Sequence, residues 1–307
     1  MSNGRIADLV IAGVPKAATG SLFAYLAQHP EICASDLKET GYFNHYNPQR
    51  HTGPVPPIET YAQHFAHWSG ERYALEATPT YSYGGRPVIQ AIRTVLGRPK
   101  IIISLRDPAD RLWSAYTFQR SVGNNVRIGS FEQYVATLEQ RHRDGIQPVP
   151  RDGLHGLRIG FYADYLGDWL DEFGDDLRVV FVEKLRRDPR AEAAALFGWL
   201  GIDPSVAASL DLGARKVTEH PRSTLLAATA RTVKRRSKRF LPSAAQRGLQ
   251  RAYLQLNGGG ELTEEYDPAV RRHVEELYRA SNQSTARMLA ERGYGDLPEW
   301  LMVSSAA

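Results

Sequence analysis

The chain has 307 residues, 42% of them hydrophobic and 23% charged, which are the proportions of a globular protein able to bury a large core. No stretch reaches the roughly 20 consecutive apolar residues that span a bilayer, and the opening MSNGRIADLVIAGV lacks the basic region and cleavage site of a secretory signal, so a cytoplasmic protein is expected. The single cysteine, Cys33, excludes an intrachain disulfide and a multi-cysteine zinc site, while a formal charge of +4 admits anionic partners without choosing among nucleic acid, acidic membrane and small molecules.

In chain order, ADLVIAGV (7–14) is a short apolar run of the kind that forms a buried parallel strand. TGSLFAYLAQHP (19–30) then places Leu22, Phe23 and Leu26 on one helical face, with Thr19 as the expected cap. Cys33 falls in a strand-like run, HPEICAS, and reads as a buried thiol. The proline-rich HTGPVPPIETY (51–61) is expected to be a surface loop. RYALEAT (72–78), PKIIISLRD (99–107) and LRVVFVEKL (177–185) repeat the strand signal. Between and after them, SFEQYVATLEQRH begins at a Ser130 cap and DPRAEAAALFGWLGI opens with a proline and closes at Gly201. Beyond about residue 202 helical patterns dominate, notably 267–293, where Val270, Val274, Leu277, Met288 and Leu289 suggest a packed stripe. NGGGE (257–261) marks a turn. The alternation predicts an α/β fold, a parallel β-sheet flanked by helices, as a single domain over 1–307 with a core of about 7–225 and a helical C-terminal part of about 226–300.

The segment VIAGVPKAATGSLFAYL (10–26) leads from strand to helix through a loop that resembles a phosphate-binding loop with its lysine displaced. A mononucleotide loop reads G-x-x-x-x-G-K-[ST], whereas here Lys16 is mid-loop and Gly20 is followed by Ser21. The backbone N–H groups at Ala18, Thr19, Gly20 and Ser21 are expected to face an anion at the positive end of the helix, with Pro15 stiffening the bend and Lys16 adding a full charge. Ser21 is not clearly presented to a magnesium ion, so metal-free chemistry is expected. A second segment, KIIISLRDPADRLWSAYTFQR (100–120), sets Arg106 at a strand's carboxyl end, where open α/β sheets bind ligands, and Ser114 on a proline-initiated helix. These two residues read as a second anion site, the competing reading being a structural pair of Arg106 with Asp107 or Asp110. A third segment, DLKETGYFNHY, supplies Lys38 and Glu39. The carboxylate can take a proton from an attacking hydroxyl, or form an ordinary surface pair with Lys38.

Three motifs together, G-x-P-K-A-A-T-G-S at 13–21, K-E-x-x-Y-F at 38–43 and S-L-R-D-P-x-x-R-x-x-S-x-Y at 104–116, resemble the sulfotransferases that use 3′-phosphoadenosine 5′-phosphosulfate (PAPS), in particular the heparan-sulfate type and its bacterial relatives. Weaker echoes are EATPTY, GFYADYLGDWLDEFG, VVFVEKLRRDP and FGWLGI. The resemblance implies that the first loop (Pro15, Lys16, Ala17, Ala18, Thr19, Gly20, Ser21) holds the 5′-phosphosulfate, with Lys16 stabilising charge on the bridging oxygen, and that Arg106 and Ser114 grip the 3′-phosphate. It implies that Glu39 is the general base, assisted by Lys38, and that Arg215 and Arg222 of ARKVTEHPRS approach the nucleotide. PAPS is then the donor and 3′-phosphoadenosine 5′-phosphate (PAP) the product, with no metal required. Where relatives of the heparan-sulfate type often carry histidine and phenylalanine after the glutamate, this chain has Thr40 and Gly41. Burial among Tyr42 and Phe43 is expected to strengthen Glu39 as a base.

The implied acceptor is a hydroxyl-bearing carbohydrate, glycolipid or secondary metabolite. Tyr42, Tyr81, Tyr83 and Trp113 are candidates for a stacking wall and equally for core. The basic run RTVKRRSKRF, with six Lys and Arg between 231 and 239, reads as a solvated helix face or as a peripheral contact for an anionic polymer or membrane. A P-loop nucleotide or small-molecule kinase is the alternative enzyme. A nucleic-acid binder has only the charge in its favour.

Overall fold

The computed structural model describes residues 4–49, 51–121, 129–146, 154, 156–213 and 265–302. The longer elements in chain order are β1 (Leu9–Gly13), α1 (Thr19–Leu26), β2 (Ile32–Ala34), β3 (Tyr73–Ala77), α2 (Arg86–Leu96), β4 (Lys100–Leu105), α3 (Pro108–Ser121), α4 (Phe131–Arg143), α5 (Leu166–Phe173), β5 (Leu177–Phe181), α6 (Pro189–Leu200) and α7 (Pro268–Ala290). The chain divides into two compact units, each discontinuous in sequence.

The first unit comprises Met1–Asp107, Phe161–Lys216 and Arg279–Ala307 and contains the whole sheet. Its strands are all parallel in the order β2-β3-β1-β4-β5. The near-continuous apolar runs follow from this, because a strand covered on both faces has no solvent side to alternate with. On one face α1 and α6 bury Leu22, Tyr25, Leu26, Leu196, Phe197 and Leu200 against Leu9, Ile11, Leu75, Ile102 and Val180. Elsewhere in the unit α2 buries Val88, Ile89 and Ile92, and α5 buries Trp169, whose indole N–H donates to the Ser82 carbonyl at 2.8 Å. The central strand β1 has β3 on one side and β4 on the other. Register sets Gly13 level with Ile103, so the segments that follow β1 and β4 leave the sheet side by side. That is the carboxyl-end crevice in which open α/β sheets bind ligands.

The second unit comprises Pro108–Gly160 and Val217–Tyr278. Within it Ser130 caps α4, its side chain accepting the Gln133 N–H as expected, and Trp113 stacks on Tyr266 with centroids 4.9 Å apart and planes 3° from parallel. Arg111 is fully buried and donates to the Gly156 carbonyl. Asp110 takes Arg271 at 2.7 Å, so the aspartate weighed as a partner for Arg106 has a cation of its own on α7.

Helix α6 opens with Pro189 and ends at Gly201 in the left-handed conformation, as expected, and its N-cap is Asp188, whose side chain accepts the Ala191 N–H. The stripe on α7 is partly as expected, with Val274 and Leu289 buried and Val270, Leu277 and Met288 half-buried. Tyr278, Ser281 and Thr285 complete the buried face, because helical position and not side-chain polarity decides which residues turn inward. Among the described residues no helix is long and apolar enough to cross a membrane. Arg215, Arg222, the basic run 231–239 and the turn at 257–261 lie outside the described residues.

Candidate active site

The loop between β1 and α1 is built on two non-glycine residues in the left-handed region, Lys16 at φ 71° and Ala18 at φ 56°. Such residues cost about 1–3 kcal/mol each and persist where the surroundings over-determine them. Here β4 supplies the constraint. Ser104 Oγ donates to the Ala17 carbonyl, and the Ser104 carbonyl accepts the Val14 N–H at 2.9 Å. Left-handed residues at alternate positions turn main-chain N–H groups toward a common concavity, which favours an anion. The N–H groups of the first turn of α1, at Thr19, Gly20 and Ser21, lead on from it. Thr19 is the first helical residue and not the cap; Ala18 holds that position and makes no side-chain bond, because the left-handed turn has already set the direction of the helix.

The two glycines of the motif do different work. A Cβ on Gly13 would fall 2.3 Å from Ser82 Cβ and 2.6 Å from its Oγ, so this glycine admits the neighbouring chain. A Cβ on Gly20 would meet only Lys38 Cε, at 4.0 Å, so Gly20 leaves the mouth of the loop open and Lys38 stretches across it.

Lys16 is half-buried, and its pKa is lowered to about 8, first by loss of hydration and second by the nearby Arg106 guanidinium, with Glu39 opposing both. Arg106 follows β4 directly and its Nη1 donates to the Lys16 carbonyl at 3.4 Å. Its own backbone is clamped, since Tyr162 Oη donates to the Arg106 carbonyl at 2.7 Å and the Asp107 N–H donates to Glu183 Oε1 at 2.9 Å. Lys16, Lys38, Glu39 and Arg106 are therefore one cluster at the carboxyl end of the sheet in the first unit. Ser114 is half-buried on α3, in the second unit.

Glu39 and Lys38 form an ion pair of 3.0 Å. The Glu39 side chain is 61% exposed, which differs from the burial expected among Tyr42 and Phe43. Tyr42, Phe43 and Tyr81 instead belong to the core beneath the segment, where Tyr42 stacks on Tyr61 at 4.9 Å and Phe43 meets Tyr81 edge-on at 5.6 Å. The inward place next to Glu39 is taken by Thr40, whose hydroxyl donates to the buried carboxyl of Glu76. Of the candidate wall residues, Tyr83 and Trp113 are half-buried.

Sequence reasoning assigned no role to Ser104, Glu76, Tyr162 or Glu183. Ser104 and Glu76 each carried a signal, a lone polar residue inside an apolar strand, where an unpaired polar group is costly. Tyr162 and Glu183 carried none, because their effect on Arg106 depends on chain segments more than fifty residues away.

The sulfotransferase domain family matches residues 7–240 of the chain. The human bifunctional heparan sulfate N-deacetylase/N-sulfotransferase 2 is 28% identical over 211 residues, a match that covers 65% of this chain and 22% of that protein. The mouse heparan sulfate glucosamine 3-O-sulfotransferase 3B1 is 26% identical over 199 residues, covering 64% of this chain and 47% of that protein. The chain thus spans less than half the length of these curated relatives. The crystal structure of a sulfotransferase from Alicyclobacillus acidocaldarius superposes with a TM-score of 0.67 at 22% identity, over 96% of this chain and 99% of that one, and has the same fold.

Proposed function

Since the chain belongs to the sulfotransferase domain family, we propose that it moves the sulfuryl group of PAPS to a hydroxyl of a glycan or related acceptor, in the cytoplasm and without a metal ion. The carrying observation is the cluster of Lys16, Arg106 and Glu39 around a loop whose backbone is already bent toward an anion.

The residues fit such a donor. A concave backbone, a helix N-terminus and a desolvated lysine suit the 5′-phosphosulfate. Arg106, at the end of the neighbouring strand, suits a second phosphate, with Ser114, Arg215 and Arg222 as further contacts. In the reaction the acceptor oxygen attacks sulfur, its proton passes to the Glu39 carboxylate, and the bond from sulfur to the bridging oxygen breaks. Lys16 neutralises the charge that collects on that oxygen as PAP leaves, and Lys38 orients donor and acceptor above Gly20. Sulfuryl transfer, like phosphoryl transfer, is served mainly by alignment and fixed positive charge. The exposure of Glu39 suits a base that must meet an acceptor from solution. The relatives named for heparan sulfate support a glycan acceptor. The basic run 231–239 gives such a polyanion, or an anionic membrane, a peripheral contact.

The test is calorimetric titration with PAP, ADP and ATP in the presence of EDTA. Micromolar PAP binding with ADP far weaker supports the reading. Magnesium-dependent ATP binding with no preference for PAP overturns it in favour of a kinase.

A further inference from the structure

We propose that Glu76 is a positioning residue that acts through Thr40 to fix the segment carrying Glu39. The inference rests on the reading of Glu39 as the base.

Glu76 lies on β3, paired in register with Val10 of β1, and is fully buried. A carboxyl group there is costly, and an apolar side chain of similar size would satisfy the sheet. Its surroundings are hydroxyls: those of Thr40, Tyr61, Thr78 and Tyr81 all lie around the carboxyl. Thr40 Oγ1 donates to Glu76 Oε2 and is 3.5 Å from Tyr81 Oη. Tyr81 Oη accepts the Phe43 N–H at 3.2 Å, and Thr78 Oγ1 accepts the Gly41 N–H at 3.2 Å. The chain on the far side of Glu39 is thereby held at residues 40, 41 and 43. That hold is needed because Gly41 turns through the left-handed region at φ 69°, where glycine alone imposes little direction. Glu39 itself, being exposed and paired only with its neighbour Lys38 among the bonds described, has no comparable anchor of its own.

The cluster also carries a desolvation cost that an apolar replacement for Glu76 would avoid. Among the described residues Glu76 Oε1 and the Tyr61 hydroxyl are fully buried and make no hydrogen bond of normal geometry, although the two side chains interact. Such imperfectly satisfied buried groups call for an explanation, and the anchoring of the Glu39 segment supplies one. The titratable groups facing Glu76 are Tyr61 and Tyr81, both pushed well above the usual tyrosine range by burial first and by the Glu76 charge second, with Asp8 adding a smaller effect on Tyr61.

The test compares Thr40→Val, Thr40→Ser, Glu76→Gln and Glu39→Gln in the full chain. PAP release from PAPS is followed with an unsulfated heparan-type polysaccharide as probe acceptor and with water alone. PAP affinity and amide hydrogen exchange are measured alongside. Thr40→Val is expected to lower kcat at least tenfold, to leave PAP Kd and PAPS KM within threefold, and to speed exchange at Gly41 and Phe43 but not in β1 or β4. Thr40→Ser restores wild-type behaviour, and Glu76→Gln gives the Thr40→Val pattern to a lesser degree. Unchanged kcat and exchange in Thr40→Val overturns the proposal, as does a loss spread equally over PAP affinity and the whole sheet, which marks a folding role. If Glu76→Gln does not fold, the two Thr40 variants decide the matter. Undiminished turnover in Glu39→Gln would overturn the base assignment, while exchange at Gly41 and Phe43 still decides whether Glu76 and Thr40 anchor the segment.

Discussion

Arg106 reaches the main chain of Lys16, its Nη1 donating to the Lys16 carbonyl oxygen at 3.4 Å. Two cations from the ends of adjacent strands share one neighbourhood, and their mutual repulsion is relieved when an anion arrives. The depressed pKa of Lys16, at about 8, is the electrostatic trace of that arrangement, burial being its first cause and Arg106 its second.

A pH dependence of nucleotide binding follows. An anion bound against Lys16 favours the charged ammonium, so binding raises the pKa and takes up a proton when the free site is neutral. PAP affinity is expected to be flat between about pH 7 and 8, above the second phosphate pKa of the ligand, and to fall by up to about tenfold per pH unit above pH 8. Calorimetry in buffers of different ionisation enthalpy measures the proton uptake. Lys16→Arg should abolish the pH dependence; retention of the slope in that variant would place the titration elsewhere.

Removal of Arg106 should weaken PAP specifically. A charge-assisted contact contributes about 1.5–3 kcal/mol, so Arg106→Ala is expected to raise the PAP Kd roughly 10- to 150-fold. The loss for ADP, which lacks the 3′-phosphate, should be much smaller. Equal losses for the two nucleotides would move Arg106 to the 5′ end.

Glu39→Gln separates chemistry from binding. The amide keeps the shape and cannot take the acceptor's proton, so kcat is expected to drop about 10²–10⁴-fold while PAP Kd stays within a few-fold. Single-turnover kinetics with PAPS provides the measurement.

Gly13→Ala tests packing and not ligand contact. The new Cβ would meet Ser82 at 2.3 Å, and overpacking of this kind costs about 1–3 kcal/mol. Denaturant unfolding should show the loss, and Ser82→Gly in the same chain should recover part of it. A wild-type Cm in Gly13→Ala would mean that the two backbones part easily.

Glu76 should leave its mark on stability as a function of pH. Burial raises its pKa to about 7 in the folded chain from 4.5, so the folded state holds the proton more tightly than the unfolded one. Its contribution to stability is greatest below pH 4.5 and is lost as pH rises through 7, by roughly 3 kcal/mol at about 1.36 kcal/mol per pH unit. Glu76→Gln should remove that decline. Unfolding curves of both proteins at pH 5 and pH 8 give the comparison.

The sequence by itself determined the strands, because the near-continuous apolar runs in ADLVIAGV, PKIIISLRD and LRVVFVEKL suit a sheet covered on both faces. It also determined the strand-to-helix loop at 13–21, the cap at Ser130 and the opening proline and closing Gly201 of α6, since each depends on residues within a few positions of one another. The tertiary structure decided what depends on distant segments. Parallel pairing of β1 with β4 puts Lys16 and Arg106, ninety residues apart, within one hydrogen bond. The packing of Thr40 on Glu76 turns Glu39 outward where local pattern suggested burial among aromatics. Gly13 is glycine because Ser82 crosses it, a constraint that no local reading of the loop contains. Local hydrogen bonds and apolar periodicity are written in neighbouring residues, whereas electrostatic neighbourhood and steric fit arise only when the sheet brings separate strand ends together.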